Sequence, residues 1–377
     1  MAVDFERDGL LDGLAGEERE ARLRLLSELS EQGVEPEELR RAVAEQRLAL
    51  LPVERVLAGE GERYTAAEAS ERVGIELELL QRVWRALGLA LADDDREAIY
   101  TDRDIEGAKR VKALLDAGIP EEGVLEVARL LGMTMSQLAA ANRQLIADAF
   151  MREGDTEYDA ASRFAAAAEA FMPLIAETLP YVLRLHLREQ IRHDAFALAD
   201  LSAGRLEAAD DVAVCFADLV GFTQLGETLE PEALGAVTGR LAELAGGAVE
   251  PPVRLVKMIG DAVMLAGPDP AAVVDSALRL VETASEQGEE FPMLRAGVAW
   301  GRALPRAGDW YGRPVNLASR VTGIARPGSL LADGGIHDRL EDEYDWSFAG
   351  ERRLKGIDGK VKLYRCRRPA GETGADD

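Results

Sequence analysis

Two stretches in the second half of the chain decide how the fold is read: Val212–Thr223, VAVCFADLVGFT, and Val253–Ala266, VRLVKMIGDAVMLA. In the first, an apolar run reads as a buried strand that ends at Asp218 and passes through a turn into Gly221 and a helix start. An acid at a strand end beside the free N–H groups of a helix start suits a magnesium–phosphate site. Taken alone, the same aspartate reads equally well as a helix cap. In the second stretch, two apolar strands flank Ile259-Gly260-Asp261-Ala262, and Gly-Asp there predicts a hairpin turn. A second acid at a hairpin tip can share a metal with Asp218. Lys257 interrupts an apolar strand, and by itself it reads as a sheet-edge lysine.

A third stretch, Gly308–Arg320, is GDWYGRPVNLASR. Asn316 and Arg320 are four residues apart and share one helix face. An amide and a guanidinium on one face suit a phosphate or a developing charge; a surface hydrogen bond and an exposed arginine are the plain alternative. Asp309 lies seven residues before Asn316. Further apolar runs, MLRAGVAWG and KVKLYRC, alternate with helical stretches, so 206–370 reads as one α+β domain.

The first 205 residues have a different texture. They are rich in Ala, Leu, Glu and Arg, with apolar residues at helical spacing. Leu23, Leu26 and Leu29, then Leu39, Val43 and Leu48, read as helix faces broken at Gly33 and Pro36. Thr65 with Glu68 reads as a capping box, and Thr101-Asp102 as another helix start. Three or four short helices are expected between Thr65 and about Leu131, with Asp93, Asp94 and Asp95 in a loop and a break at Gly118-Ile119-Pro120. Pro173 and Pro180 read as kinks or breaks in the helical pattern that follows. Residues 371–377 read as a flexible tail.

Of the 377 residues, 44 are Lys or Arg and 69 are Asp or Glu, for a net charge of −25. Such a surface repels phosphates, which argues against nucleic-acid binding, and it repels anionic lipid. Cys215 and Cys366 are too few for a disulfide framework or a zinc site, in keeping with a reducing compartment. The most apolar stretch, Phe164–Leu187, carries Glu169, Glu177, Pro173 and Pro180, so no membrane span is expected. The N-terminus is acidic and unlike a signal peptide. The expectation is a soluble, cytoplasmic protein.

Together the three motifs are far more specific than any one. Residues 207–366 resemble the class III nucleotidyl cyclases, whose catalytic domain has a ferredoxin-like core. The resemblance implies that Asp218 and Asp261, in FADLVGFT and IGDA, bind two divalent metals, Mg²⁺ or Mn²⁺. It implies that Lys257 and Asp309 read adenine, and that Asn316 and Arg320 orient the ribose and stabilise the transition state. Gly221, Phe222 and Thr223 would cradle phosphate. Lys355 is the expected contact to the terminal phosphate, with Lys360 as its rival. All six principal positions carry the adenylyl-type residue, where guanylyl-type enzymes carry Glu and Cys or similar at the two base-reading positions.

Lys257 and Asp261 are too close in sequence to reach one small molecule easily for different tasks. The conflict disappears in a head-to-tail homodimer in which one chain supplies the metal ligands and the other the remaining four residues. The reaction implied is attack of the ribose 3′-oxygen of ATP on the α-phosphate, giving cyclic AMP and pyrophosphate. A nucleotide sensor without turnover and a guanylyl cyclase are the rival readings.

Residues 64–131 resemble a MerR-like winged helix-turn-helix, but 61–130 hold 10 basic and 16 acidic residues, which opposes DNA binding. The whole arrangement looks like soluble actinobacterial cyclases whose N-terminal domain regulates the catalytic domain, in some with pH. Residues 179–200 would be the connecting helix, and its His186 and His193 are the candidate pH sensors. The apolar segment FAAAAEAFMPLIAETLPYVL reads as a dimer core, with a pocket for a fatty acid or other lipid as the second reading.

Overall fold

The structure, a computed structural model, describes residues 4–58, 61–91, 97–194, 209–288 and 291–369. It divides into two compact units, Met1–Glu189 and Gln190–Asp377.

The first unit opens with α1 (Gly16–Glu31), α2 (Pro36–Ala44), a 3₁₀ turn at Leu48–Leu50 and α3 (Leu51–Ala58). Gly33, at φ 82°, closes the first turn, and Pro36 opens the next helix at its first position, where a missing N–H costs nothing. Leu26, Leu29, Leu39 and Leu48 are buried in this core as their spacing predicts, but Leu25 takes the place expected for Leu23, which is exposed.

A second small core follows. It contains β1 (Arg63–Tyr64), α4 (Ala66–Val73), α5 (Leu77–Leu87), β2 (Tyr100–Thr101) and α6 (Asp102–Asp116). The predicted box at Thr65 and Glu68 is present, and Thr101 forms another with Asp104. The antiparallel β1–β2 pair and the stack of Trp84 on Tyr100, 3.9 Å between centroids, tie the ends of this segment together. Asp93, Asp94 and Asp95 lie outside the described residues. After the predicted break at Gly118–Pro120 comes α7 (Glu121–Phe150). At 30 residues it is not the short helix expected. It runs past α5 at Gly132, where a Cβ would lie 2.6 Å from Ala86 O, so only glycine permits that approach.

Helix α8 (Glu157–Asp194) corrects two expectations. Neither Pro173 nor Pro180 breaks it, and the expected connecting helix at 179–200 is its C-terminal part, with 195–200 outside the described residues. An internal proline costs about 3 kcal/mol, and the alanine-rich turns before Pro173 supply strong helix formers to offset it. By length and composition, Glu157–Ile191 is also apolar enough to cross a membrane: an 18-residue window within it has mean hydropathy 1.2, and 11% of that window is buried. Glu169 and Glu177 are the only charged residues from Phe164 to Leu183, too few to lower its hydropathy.

The second unit is built on an eight-stranded mixed sheet. Its first half is β3 (Asp210–Leu219), a short α9 (Phe222–Leu225), α10 (Pro231–Ala248), β4 (Arg254–Ile259), β5 (Ala262–Gly267), α11 (Pro270–Ser285) and β6 (Leu294–Arg306). These follow a βαββαβ sequence with neighbours in the order β4-β5-β3-β6, all antiparallel, which is the expected ferredoxin-like core. Then come β7 (Asp309–Gly312), α12 (Arg313–Thr322), β8 (Ser329–Asp333), α13 (Gly334–His337), β9 (Asp345–Arg352) and β10 (Val361–Arg367). Strand β8 adds parallel to β6, and β10 and β9 complete the edge.

Alternate residues of β3 enter opposite cores. Ala213, Cys215, Ala217 and Leu219 pack with α10 and α11, while Val212, Val214 and Phe216 pack with α12. Burial on both faces explains why this strand reads as continuously apolar. Both cysteines are buried and free, and burial pushes each thiol up to about 12, so neither is a nucleophile at neutral pH. Residues 370–377, which include the expected tail, lie outside the described residues.

Candidate active site

Three local features place the site. The first is the hairpin predicted at Ile259–Ala262, where Gly260 adopts φ 61° between β4 and β5. Its tip is stitched to the end of β3, because Leu219 N–H donates to Asp261 O at 3.1 Å. Asp218, one residue back, pairs in register with Ala262. The two predicted metal-binding acids are therefore neighbours. Burial raises the pKa of Asp261 above the ordinary carboxylate range, and the charge of Asp218 raises it further.

A residue that sequence reasoning missed completes this cluster. Arg295, directly opposite Asp218 in the β3–β6 ladder, donates to Asp218 Oδ2 from Nη2 at 2.6 Å and from Nε at 3.1 Å. It also donates to Gly323 O at 3.2 Å, just after α12. Its only sequence signal is an arginine at the mouth of the apolar run MLRAGVAWG; its partner lies 77 residues away and depends on strand register.

The second feature is a bulge in β4. Leu255 pairs with Leu265, yet Lys257 pairs with Met264, so Val256 is an extra residue. Without the bulge Lys257 would oppose Val263 and point into the core against α10 and α11. The bulge turns it to the face of Met264 and Phe216, the α12 side. There Lys257 Nζ ion-pairs with Asp309 Oδ2, and Asp309 Oδ1 accepts from Trp310 N–H at 2.8 Å. The interrupted strand pattern at Lys257 is thus a bulged strand with a charged partner 52 residues on.

The third feature is the seating of α12. Its inner face, Pro314, Leu317, Ala318, Val321 and Thr322, is buried. Thr322 Oγ1 lies 3.0 Å from Phe216 O and 2.8 Å from Ala318 O, anchoring the helix to β3. Gly297 of β6 faces this contact, where a Cβ would lie 2.3 Å from Thr322 N. Asn316 and Arg320 stand on the exposed outer face, and their side chains make no hydrogen bond or ion pair among the described residues.

Other expected residues are dispersed. Gly221 caps α9 at φ 79°, ahead of Phe222 and Thr223, but that helix has four residues, so its dipole is far smaller than expected. Lys355 and Lys360 lie on the turn between β9 and β10. Strand β8 begins beside Arg295 and ends at Asp333, and β10 starts beyond Asp333. Both lysines are therefore at the far end of the sheet from Asp218 in their own chain, with Lys360 paired to Glu351 at 3.5 Å. His186 is exposed on α8; His193 is on the same helix, and its side chain lies outside the described residues.

Comparison with known proteins settles the family. Residues 3–191 match the adenylate cyclase regulatory domain, and residues 205–367 match the adenylate and guanylate cyclase catalytic domain. A pH-sensitive adenylate cyclase of Mycobacterium tuberculosis is 44% identical over 99% of this chain and 95% of its own length. The chain belongs to the adenylate cyclases.

An adenylate cyclase of Streptomyces griseus is 34% identical, over 76% of this chain and 71% of its own. The crystal structure of the adenylyl cyclase CyaB from P. aeruginosa is similar at 22% identity and a TM-score of 0.37, covering 45% of this chain and all of that one. In the cyclase described here, the donor set at Asp218 and Asp261 fits a hard divalent cation. Both candidate ligands are carboxylates, and their crowding is a repulsion that a cation would relieve. No cluster of three His, Cys, Asp or Glu forms a metal site among the described residues, so substrate phosphates and water would complete the coordination.

Proposed function

We propose that the cyclase works as a head-to-tail homodimer, each site taking Asp218 and Asp261 from one chain and Lys257, Asp309, Asn316 and Arg320 from the other. The observation that carries this reading is the outward display of Asn316 and Arg320 on α12, whose side chains have no partner among the described residues. Lys355, at the far end of the sheet from Asp218, would then contact the terminal phosphate of the nucleotide bound at the partner's Asp218 and the partner's Asp261. Asp218 and Asp261 would hold two Mg²⁺ or Mn²⁺ ions, which supply a lowered pKa for the ribose 3′-hydroxyl and charge neutralisation for the leaving pyrophosphate.

The chain's own groups do the rest. Lys257 donates to adenine N1 and Asp309 accepts from the 6-amino group. Guanine reverses that pattern and would leave two polar groups unpaired. Asn316 orients the ribose, and Arg320 neutralises charge developing at the α-phosphate. Arg295 holds Asp218 through two hydrogen bonds and would be available to a phosphate oxygen if that acid held a cation.

The test is complementation. Asp218→Ala and Arg320→Ala chains should each be inactive alone. Mixed, half of the dimers are heterodimers with one intact site of two, so about a quarter of wild-type activity should return. No recovery with heterodimers demonstrated refutes the shared site.

In this reading residues 1–205 regulate residues 206–370, the MerR-like segment serves packing and not DNA, and the protein is soluble and cytoplasmic. Support for pH control comes from the pH-sensitive relative and from His186 and His193 on α8. An unmoved pH–activity curve in His186→Ala/His193→Ala would end that assignment. The exposed Met172, Leu174, Tyr181 and Leu183 of α8 are assigned to the dimer core. Mass spectrometry of copurified lipid tests the rival fatty-acid reading.

A further inference from the structure

In the first unit a cavity of about 320 Å³ is lined by four arginines, Arg41 of α2, Arg47, Arg55 of α3 and Arg63 of β1, against two acids, Glu38 and Glu54. The lining is net positive on a chain of net charge −25. Glu54 is already answered by Arg47 at 2.9 Å. Arg55 donates to Gln32 O at 2.9 Å and Arg63 to Ile99 O at 3.2 Å, while the Arg41 side chain makes no hydrogen bond or ion pair among the described residues. Arg47 also ion-pairs with Glu45, so each guanidinium, with five N–H donors, spends at most two of them in these bonds.

Convergent guanidinium forks match the paired oxygens of phosphate and carboxylate, and positive charge in a concave site focuses anions. The apolar lining is only Leu51 and Ala58, with no aromatic face to stack a base. The volume is at the small end of ligand pockets. The chemistry therefore suits a compact polyanion. We propose that this cavity binds a small, multiply charged oxyanion, a phosphate ester or a polycarboxylate.

The site also bridges two separate cores. Arg41 and Arg55 belong to the helices packed around Leu26 and Leu39, whereas Arg63 precedes the core of Tyr64 and Trp84. Arg103 Nη1, donating to Leu57 O at 2.6 Å, links the same two parts directly. An anion held by Arg41, Arg55 and Arg63 would clamp them together and give the regulatory half a metabolite input of its own.

The test is calorimetric titration of the full-length protein, in metal-free, phosphate-free buffer, with inorganic pyrophosphate and separately with citrate. At least one probe should bind. Its affinity should survive Arg320→Ala, which strips phosphate contacts from the catalytic unit. It should fall about tenfold in Arg41→Gln and about a hundredfold in Arg41→Gln/Arg63→Gln. Both side chains are exposed, and the charge-keeping Arg41→Lys/Arg63→Lys should recover part of the loss. Response to pyrophosphate alone marks a phosphate ligand, and to citrate alone a polycarboxylate. No binding of either probe at millimolar concentration, or binding unchanged in the double Gln variant, overturns the proposal.

Discussion

Replacing Gly297 by alanine tests whether the position of α12 sets the rate. The added methyl carbon would lie 2.3 Å from Thr322 N, 2.7 Å from Thr322 Oγ1 and 2.8 Å from Thr322 Cα, where ordinary contact begins at 3.4 Å. Two of these neighbours are backbone, so no side chain can swing aside, and the helix must retreat by about 1 Å. Overpacking of this kind costs about 1–3 kcal/mol. For a unit of this size that lowers the melting temperature by roughly 2–12 °C. The retreat also carries Asn316 and Arg320 away from the nucleotide, and a misplacement of about 1 Å costs about 10²-fold in rate. The assay is cyclic AMP formation from saturating ATP well below the melting temperature, with kcat normalised to folded protein. A loss near 10²-fold in kcat is expected. A destabilised variant with kcat within about twofold of wild type would refute the reasoning, because α12 would then have moved without consequence.

Other perturbations address separate links. Lys257→Met leaves Asp309 without its ion-pair partner and removes the donor to adenine N1, so kcat/KM for ATP should fall about 10²-fold or more while GTP changes little; an unaltered ATP-to-GTP ratio contradicts the base-reading role. Thr65→Ala removes one half of the α4 capping box and should cost about 1 kcal/mol, read as roughly fivefold faster hydrogen exchange in the first turn of α4. Asp333 is buried, and burial raises its pKa although Ile336 N–H and Trp300 N–H donate to it. A carboxyl raised in the folded state binds more protons there than when unfolded, so its contribution to stability declines as pH rises from the ordinary carboxylate range through the raised value. Asp333→Asn should therefore gain stability relative to wild type as pH rises through that interval, checked by urea denaturation at a series of pH values from the ordinary carboxylate range up to neutrality; a constant difference across the whole series refutes it.

Much of this protein was legible in the chain because it is local chemistry. The Gly260-Asp261 turn, the capping box at Thr65, the helix start at Thr101, the break before Pro36 and the shared face of Asn316 and Arg320 each depend on residues within a few positions of one another. Backbone dihedrals and 3.6-residue periodicity act over that range. The change from helical to strand texture near residue 206 is read from the same periodicities, whereas the compact units divide between Glu189 and Gln190. Other features depend on pairing between distant segments. Arg295 meets Asp218 only because two strands align in one register, and Lys257 reaches Asp309 only because Val256 is bulged out. Helix α8 continues through two prolines that local rules read as kinks or breaks. Four arginines from separate elements converge on one cavity. Local propensity sets where each strand and helix begins. Burial of both sheet faces and steric fit at Gly297 decide which side chains finally meet.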